Sequence, residues 1–259
     1  MNKEKKPVVL SVRNVTKRFG GVVAVNDVNL EVRKGDRYLL IGTNGAGKST
    51  LFNLICGDLP VTSGQVVLFG KDVTGRSIRD RAVMGMRRTY QATALFPKLT
   101  VRQNLYLAVL GSMPLRSHFN IFTNYCRSKA YNESIEQTAK EVMLEDKLDE
   151  LVMNLSHGEH RQLELGLALI SKPKLLLLDE PSSGLSENER AIMKKMLLDL
   201  DEEMTLIMVE HNMELGFAVS TKVTVMLDGK VVFEGTPEET QNNAFVQSIY
   251  LGTGGTSNA

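Results

Sequence analysis

Residues 38–50 run Tyr-Leu-Leu-Ile-Gly-Thr-Asn-Gly-Ala-Gly-Lys-Ser-Thr, and they constrain this chain more than any other stretch. Tyr38 to Ile41 form a short apolar run with the pattern of a buried strand. Residues 42–49 match G-x-x-x-x-G-K-[ST], and the apolar segment 51–56 reads as a helix. Strand, glycine loop and helix, in that order, are the context in which the motif holds phosphate. Gly42, Gly45 and Gly47 allow a tight turn and a close approach of backbone to phosphate. With Asn44 and Ala46 they present inward N–H groups as an anion nest, and the helix N-terminus adds partial positive charge. Lys48 is placed to reach the β- and γ-phosphates, and the Ser49 hydroxyl to hold Mg²⁺. The bland alternative is a glycine-rich turn before a helix; the flanking strand and helix argue against it.

Composition sets the frame for that loop. With 259 residues, 42% hydrophobic and 24% charged, the chain is globular, as one large domain or two small ones. A formal net charge of +1 gives no argument for nucleic acid, and no such partner is expected. The basic clusters at 3–6 and 76–88 read as solvated faces. Cys56 and Cys126 lack metal spacing and suit a reducing cytosol. No apolar run reaches the ~18 residues of a membrane span, and no signal-peptide core follows the first lysines. The chain is therefore expected to be soluble, so any work at a membrane needs spans from another subunit.

Along the chain, strands are expected at 8–12, 28–32 and 64–69, with turns at 17–21 and 70–72. A short basic helix at 77–84 precedes a segment, 87–91, that leads into a loop ending at Phe96-Pro97. Residues 100–110 have helical spacing with Thr100 as cap, and 111–150 read as polar helices. The α/β pattern resumes with a strand at 174–178. A helix at 186–200 follows, with Ser186 and Glu189 as a capping box. A buried strand is expected at 205–209, a hairpin about Asp228-Gly229, a helix at 238–250 and a disordered tail at 252–259.

Three further stretches carry chemistry. Asp179 and Glu180 close a run of leucines, where one carboxylate can hold Mg²⁺ through water and the next can polarise an attacking water. His211 ends the strand after that one; it is either structural, exposed, or a contact to a γ-phosphate. Ser156 in Leu155-Ser156-His157-Gly158-Glu159 is an N-cap, a position that also binds anions, from this chain or from a partner. His157 and His160 lie three apart without a third ligand, which argues against metal.

In these ordered motifs the chain resembles an ABC-transporter ATP-binding subunit over roughly residues 8–251. The resemblance implies an α/β fold: a P-loop NTPase (RecA-like) core with an antiparallel β subdomain and a helical subdomain. Residues 1–91 and 172–251 would form the core and β subdomain, 92–171 the helical subdomain, and 252–259 a flexible tail. Phe19 corresponds to the aromatic that stacks on adenine, with a core Phe as the alternative, and Val25 falls with it on the nucleotide side. Residues 42–50, with Thr50, correspond to the Walker A loop. Gln91 matches the glutamine that touches Mg²⁺ or the attacking water. Ser156, Gly158 and Glu159 fall in the signature segment, Asp179 and Glu180 at Walker B, residues 183–186 at the D-loop and His211 at the H-loop. Lys48, Gln91, Glu180 and His211 are then the catalytic set, with Ser49, Gln91 and Asp179 on the metal.

Within the family the chain is most similar to bacterial uptake ATPases for branched-chain amino acids and urea or amides. Residues 19–28 and 95–101 carry that likeness, with the polar segment after Gly111 and the ending Tyr250-Leu251-Gly252. His157 and Glu159 replace a common Gly and Gln, Ser186 a common Asp or Asn, and Thr43 a common Pro. The resemblance implies two cassettes, identical or paralogous, sandwiching two ATPs on the inner face of the cell membrane. Transmembrane permease subunits would be gripped near 92–150, with Leu95, Phe96 and Leu105 as contacts, and an extracytoplasmic solute-binding protein would act indirectly. An exporter ATPase, such as one for lipopolysaccharide, is the first alternative. A soluble ABC ATPase of translation or DNA repair is the second, but such proteins carry two cassettes or a long coiled coil.

Overall fold

The computed structural model describes residues 6–89, 95–111 and 129–251. In chain order the elements are β1 Val8–Phe19, β2 Val22–Arg33, β3 Arg37–Gly42, α1 Lys48–Cys56, β4 Ser63–Leu68, β5 Lys71–Asp72, α2 Ile78–Val83 and β6 Met86–Arg88. Next come α3 Val101–Gly111, α4 Lys129–Glu141, two 3-10 turns, α5 His157–Leu169, β7 Leu175–Asp179, α6 Glu187–Asp199 and β8 Thr205–Val209. The chain closes with α7 Met213–Val219, β9 Lys222–Leu227, β10 Lys230–Gly235, α8 Pro237–Asn242 and α9 Ala244–Leu251. These pack as two units, Met1–Arg81 with Glu202–Ala259, and Ala82–Asp201.

The first unit holds an antiparallel sheet in the order β2-β1-β4-β5 and the strands β10-β9-β3-β8. β3 is parallel to both neighbours, with Leu40 beside Val209 and Thr224. Every residue of β3 is buried, as a parallel strand covered on both faces requires, so its apolar run is continuous rather than alternating. The β9–β10 hairpin turns through Asp228 and Gly229, both with positive φ (48° and 76°), the conformation a tight two-residue hairpin demands.

In the second unit β6 pairs in parallel with β7, which is buried throughout. Beside this pair, α3, α4 and α5 close on one another. A side chain at Gly166 of α5 would come within 3.3–3.6 Å of Val142, Leu105 and Thr138, so glycine lets the helices approach. Ser156 caps α5 and Ser186 caps α6, each as a full capping box with a Glu three residues on. Thr100 plays the same part for α3: its Oγ1 accepts from the Gln103 N–H at 3.2 Å.

Several expectations are corrected. β1 runs through Lys17 and Arg18 to Phe19, so the turn is Gly20-Gly21 alone. Lys71 and Asp72 are a two-residue strand rather than a turn, and β6 lies where only a lead into a loop is legible. The C-terminal helix is two, broken at Asn243, whose extended backbone ends α8 and whose side chain accepts from the Val246 N–H. The basic cluster at 76–88 is a solvated face only at Arg76 and Arg79. Arg81 is 1% exposed, and its guanidinium donates to the Leu54, Ile55 and Val73 carbonyls at 2.6–2.8 Å, covering the C-terminal end of α1. Leu105 is fully buried in the helical core, so of the three suggested contacts Phe96, 54% exposed, offers the surface. Cys126, Gln91 and the tail at 252–259 lie outside the described residues.

Candidate functional site

In the first unit β3 delivers the chain into the glycine loop. A Cβ at Gly42 (φ 153°) would lie 2.2 Å from the Met226 carbonyl oxygen, and one at Gly47 (φ 97°) 2.4 Å from that of Ala24. Both neighbours are backbone, so these two glycines are the condition for the loop closing at all. The Gly229 N–H donates to the Ala46 carbonyl at 3.1 Å, and the hairpin thereby braces the loop from behind. α1 then starts at Lys48 with Gly47 as its N-cap, without a side-chain cap and without an acidic residue in its first turn. Its leading N–H groups are therefore left for another anion. Lys48 is 6% exposed, and its Nζ donates to the Gly42 and Thr43 carbonyls at 2.8 and 2.9 Å. Asn44, Gly45 and Ser49 are exposed, Thr50 is half-buried and Ala46 is buried.

Phe19 ends β1 and is 47% exposed, which removes the core alternative, and Lys17 Nζ lies 5.0 Å from the ring centre. Val25 is fully buried within β2, on the core side of that strand. His211 is exposed and follows Glu210, the first residue beyond the end of β8 at Val209. It sits between two side-chain brackets. The buried Glu210 accepts from the His211 and Asn212 N–H groups at 2.8 and 3.0 Å, and Asn212 caps α7 through the Leu215 N–H at 2.8 Å. α7 has no counterpart in the sequence reading.

In the second unit β7 ends on Asp179, which is 5% exposed. Arg88 Nη2 donates to its Oδ2 at 2.7 Å, while buried Oδ1 has no hydrogen-bond partner among the described residues. One oxygen paired and one left over suits a hard cation, which takes oxygen ligands. Glu180 follows with φ 50°, the left-handed region that a non-glycine residue occupies only under constraint. Arg88 was missed because its charge reads as surface; its buried position follows from β6 lying beside β7. Nearby, Arg161 and Glu164 of α5 pair at 2.9 Å along a small cavity that Thr89, Asp179 and Met193 also line.

The start of α5 is organised differently. Ser156 Oγ accepts from the Glu159 N–H at 3.2 Å, and Glu159 Oε2 accepts from the Ser156 N–H at 2.7 Å. Burial works against the Glu159 charge but is outweighed by these bonds and by Lys147 at 3.0 Å, so its carboxyl lies below the ordinary range. The Gly158 N–H donates to Glu189 Oε1 at 3.0 Å. His160 Nε2 faces the Val152 carbonyl at 2.9 Å, and among the described residues no group of three potential metal-ligating side chains occurs. No helix of the described residues is long and apolar enough to cross a membrane.

A family profile described as ABC transporter matches residues 25–183, more than half of the chain. The high-affinity branched-chain amino acid transport ATP-binding protein LivG of Salmonella typhimurium is 32% identical over 249 residues, spanning 94% of this chain and 98% of that protein. BraF of Pseudomonas aeruginosa, which bears the same description, is 33% identical over the same shares. Among solved structures, a nucleotide-free ATP-binding cassette from an ABC transporter has a TM-score of 0.81 at 29% identity, covering 94% of this chain and 99% of that one. With a glycine loop opening onto an uncapped helix, and with these matches along nearly its whole length, the chain belongs to the ABC transporter family as an ATP-binding, ATP-hydrolysing subunit whose work is coupled to transport.

Proposed function

We propose that this chain energises an importer, with branched-chain amino acids or related small amide solutes as cargo. The observation that carries the ATPase part of this reading is the bare start of α1 behind a loop in which Gly42 and Gly47 tolerate no side chain. The cargo rests on the likeness to LivG and BraF. The loop N–H groups and Lys48 bind the phosphates, with Asn44, Gly45, Ala46, Ser49 and Thr50 around them, and Phe19 takes the adenine side; Val25, buried on the core side of β2, offers it no surface. Mg²⁺, when bound, neutralises charge on the β- and γ-phosphates. Ser49, Asp179 and Gln91 would hold it, and the unpartnered Oδ1 of Asp179 supports that role. Glu180 takes the proton of the attacking water and His211 contacts the γ-phosphate.

Two cassettes, identical or paralogous, pair head to tail. Each ATP lies between residues 42–50 of one and Ser156, Gly158 and Glu159 of the other, and hydrolysis opens the pair. The region 92–171 acts as the helical subdomain that docks on permease subunits at the cytoplasmic face of the membrane, with a solute-binding protein on the far side. Exposed Phe96, Leu151 and Met153 support a docking face there. The Glu180→Gln variant is the test: it should bind ATP, lose most hydrolysis and accumulate dimer by light scattering. Turnover near wild type would remove Glu180 as the base. A monomer at saturating Mg·ATP would remove the pairing.

A further inference from the structure

We propose that Glu189 is a built-in competitor for phosphate at the start of α5, so that each cassette must release its own carboxylate before it can receive the partner's ATP. The inference rests on the pairing reading above and adds to it the residue that sets the ATP threshold.

The contact is specific. Glu189 Oε1 accepts the Gly158 N–H at 3.0 Å, and a Cβ at Gly158 would fall 2.5–2.8 Å from three atoms of the Glu189 side chain. The carboxylate therefore covers the buried Gly158 directly. Its other oxygen, Oε2, accepts from the Ser186 N–H and Oγ at 2.8 and 2.7 Å, so one carboxylate bridges the starts of α5 and α6. Those Ser186 bonds, the Gly158 bond and the nearby His157 together hold it ionised. His157 also lies against the D-loop: its Nε2 would be 3.0 Å from a Cβ at Gly184.

One N–H cannot donate fully to two anions, and a phosphate oxygen brought to within hydrogen-bonding distance of this carboxylate is repelled by it. Release needs only a rotation that frees Oε1, since Oε2 can stay on Ser186. The unpaired chain thus keeps the start of α5 satisfied by its own side chain, and pairing begins only when enough ATP is bound to displace it.

The test places Glu189→Gln in the Glu180→Gln background, so that hydrolysis does not dissolve the pair. Gln keeps the capping box with its one acceptor oxygen on Ser186 and turns an NH2 donor, not an acceptor, toward Gly158. The ATP concentration giving half-maximal dimer should fall about fivefold, because the Gly158 N–H no longer has an acceptor in its own chain to give up for phosphate. Glu187→Gln removes the same charge from the same turn of α6 without touching Gly158, and should leave that concentration unchanged. An unchanged or higher ATP requirement in the Glu189 variant, while the background still pairs, overturns the inference and spares the pairing reading; so does an equal effect of the Glu187 variant. In the nucleotide-free chain, the Gly158 amide proton should move upfield in Glu189→Gln and stay in place in Glu187→Gln. A Gly158 resonance indifferent to Glu189 would overturn the contact itself. If the Glu180→Gln background never pairs, the pairing reading falls and this inference falls with it.

Discussion

Two helices of this molecule begin where the family places phosphate, and they begin in opposite ways. α1 starts behind glycine with no side-chain cap and no acid in its first turn. α5 starts with Ser156, a reciprocal Glu159 and a third side chain, Glu189, on its buried N–H. The first exposes unmet donors and holds them with backbone; the second meets its donors from its own chain. An uncapped end awaits an anion at all times, whereas a capped one gives up its partners only to a stronger competitor. The two also differ in what fixes them. Around Gly47 the obstacle is the Ala24 carbonyl, which cannot move without the sheet; around Gly158 it is a side chain, Glu189 from Cγ to Oε1.

This contrast can be broken by experiment. The largest effect is expected from Gly47→Ala, which meets backbone at 2.4 Å with φ at 97° and should cost about 3 kcal/mol of stability in urea unfolding. A loss below about 1 kcal/mol would mean that the loop is not held by backbone. Lys48→Ala comes next: with a charge-assisted donor gone, affinity for a fluorescent ATP analogue should fall about thirtyfold. Unchanged affinity would reject the phosphate role of α1. Ser156→Ala should cost about 1 kcal/mol as a lost cap and leave that nucleotide affinity of the unpaired chain untouched. Any weakening there would erase the difference between the two ends. Gly158→Ala should stay within about 0.5 kcal/mol, because the Glu189 side chain can withdraw.

The smallest effect is one of pH. Glu159 is more acidic folded than its ordinary value of 4.5, so its contribution is complete above that value and is lost as pH falls through the lower, folded one. The stability gap between wild type and Glu159→Gln should therefore be constant near neutrality and close in acid. A gap that widens on acidification would show that the ion pair with Lys147 and the cap are not what holds the charge.

What was legible in the chain is what depends on neighbours in sequence. The apolar run of β3, the glycine spacing after it, the Ser156 cap and the Ser186–Glu189 box all act over a few residues, and each is found where it was expected. The misses follow equally physical lines. β6 is three residues long and is a strand only because β7 pairs with it. Arg81 and Arg88 read as surface charges, since nothing in a linear run says that the end of α1 or the side chain of Asp179 will absorb them. Leu105 fits a helix face, and periodicity does not say whether that face is covered by another helix or left for a partner.

By itself the sequence determined that a strand, a glycine loop and a helix follow one another, with the residue types that grip a triphosphate, because that arrangement is local and sterically narrow. Only the tertiary structure decided that Arg88 takes one oxygen of Asp179 while the other has no hydrogen-bond partner among the described residues, and that Glu189 lies on Gly158, thirty-one positions away in the chain. Charges find partners through space, and which helix starts face each other is set by packing rather than by any pattern along the chain.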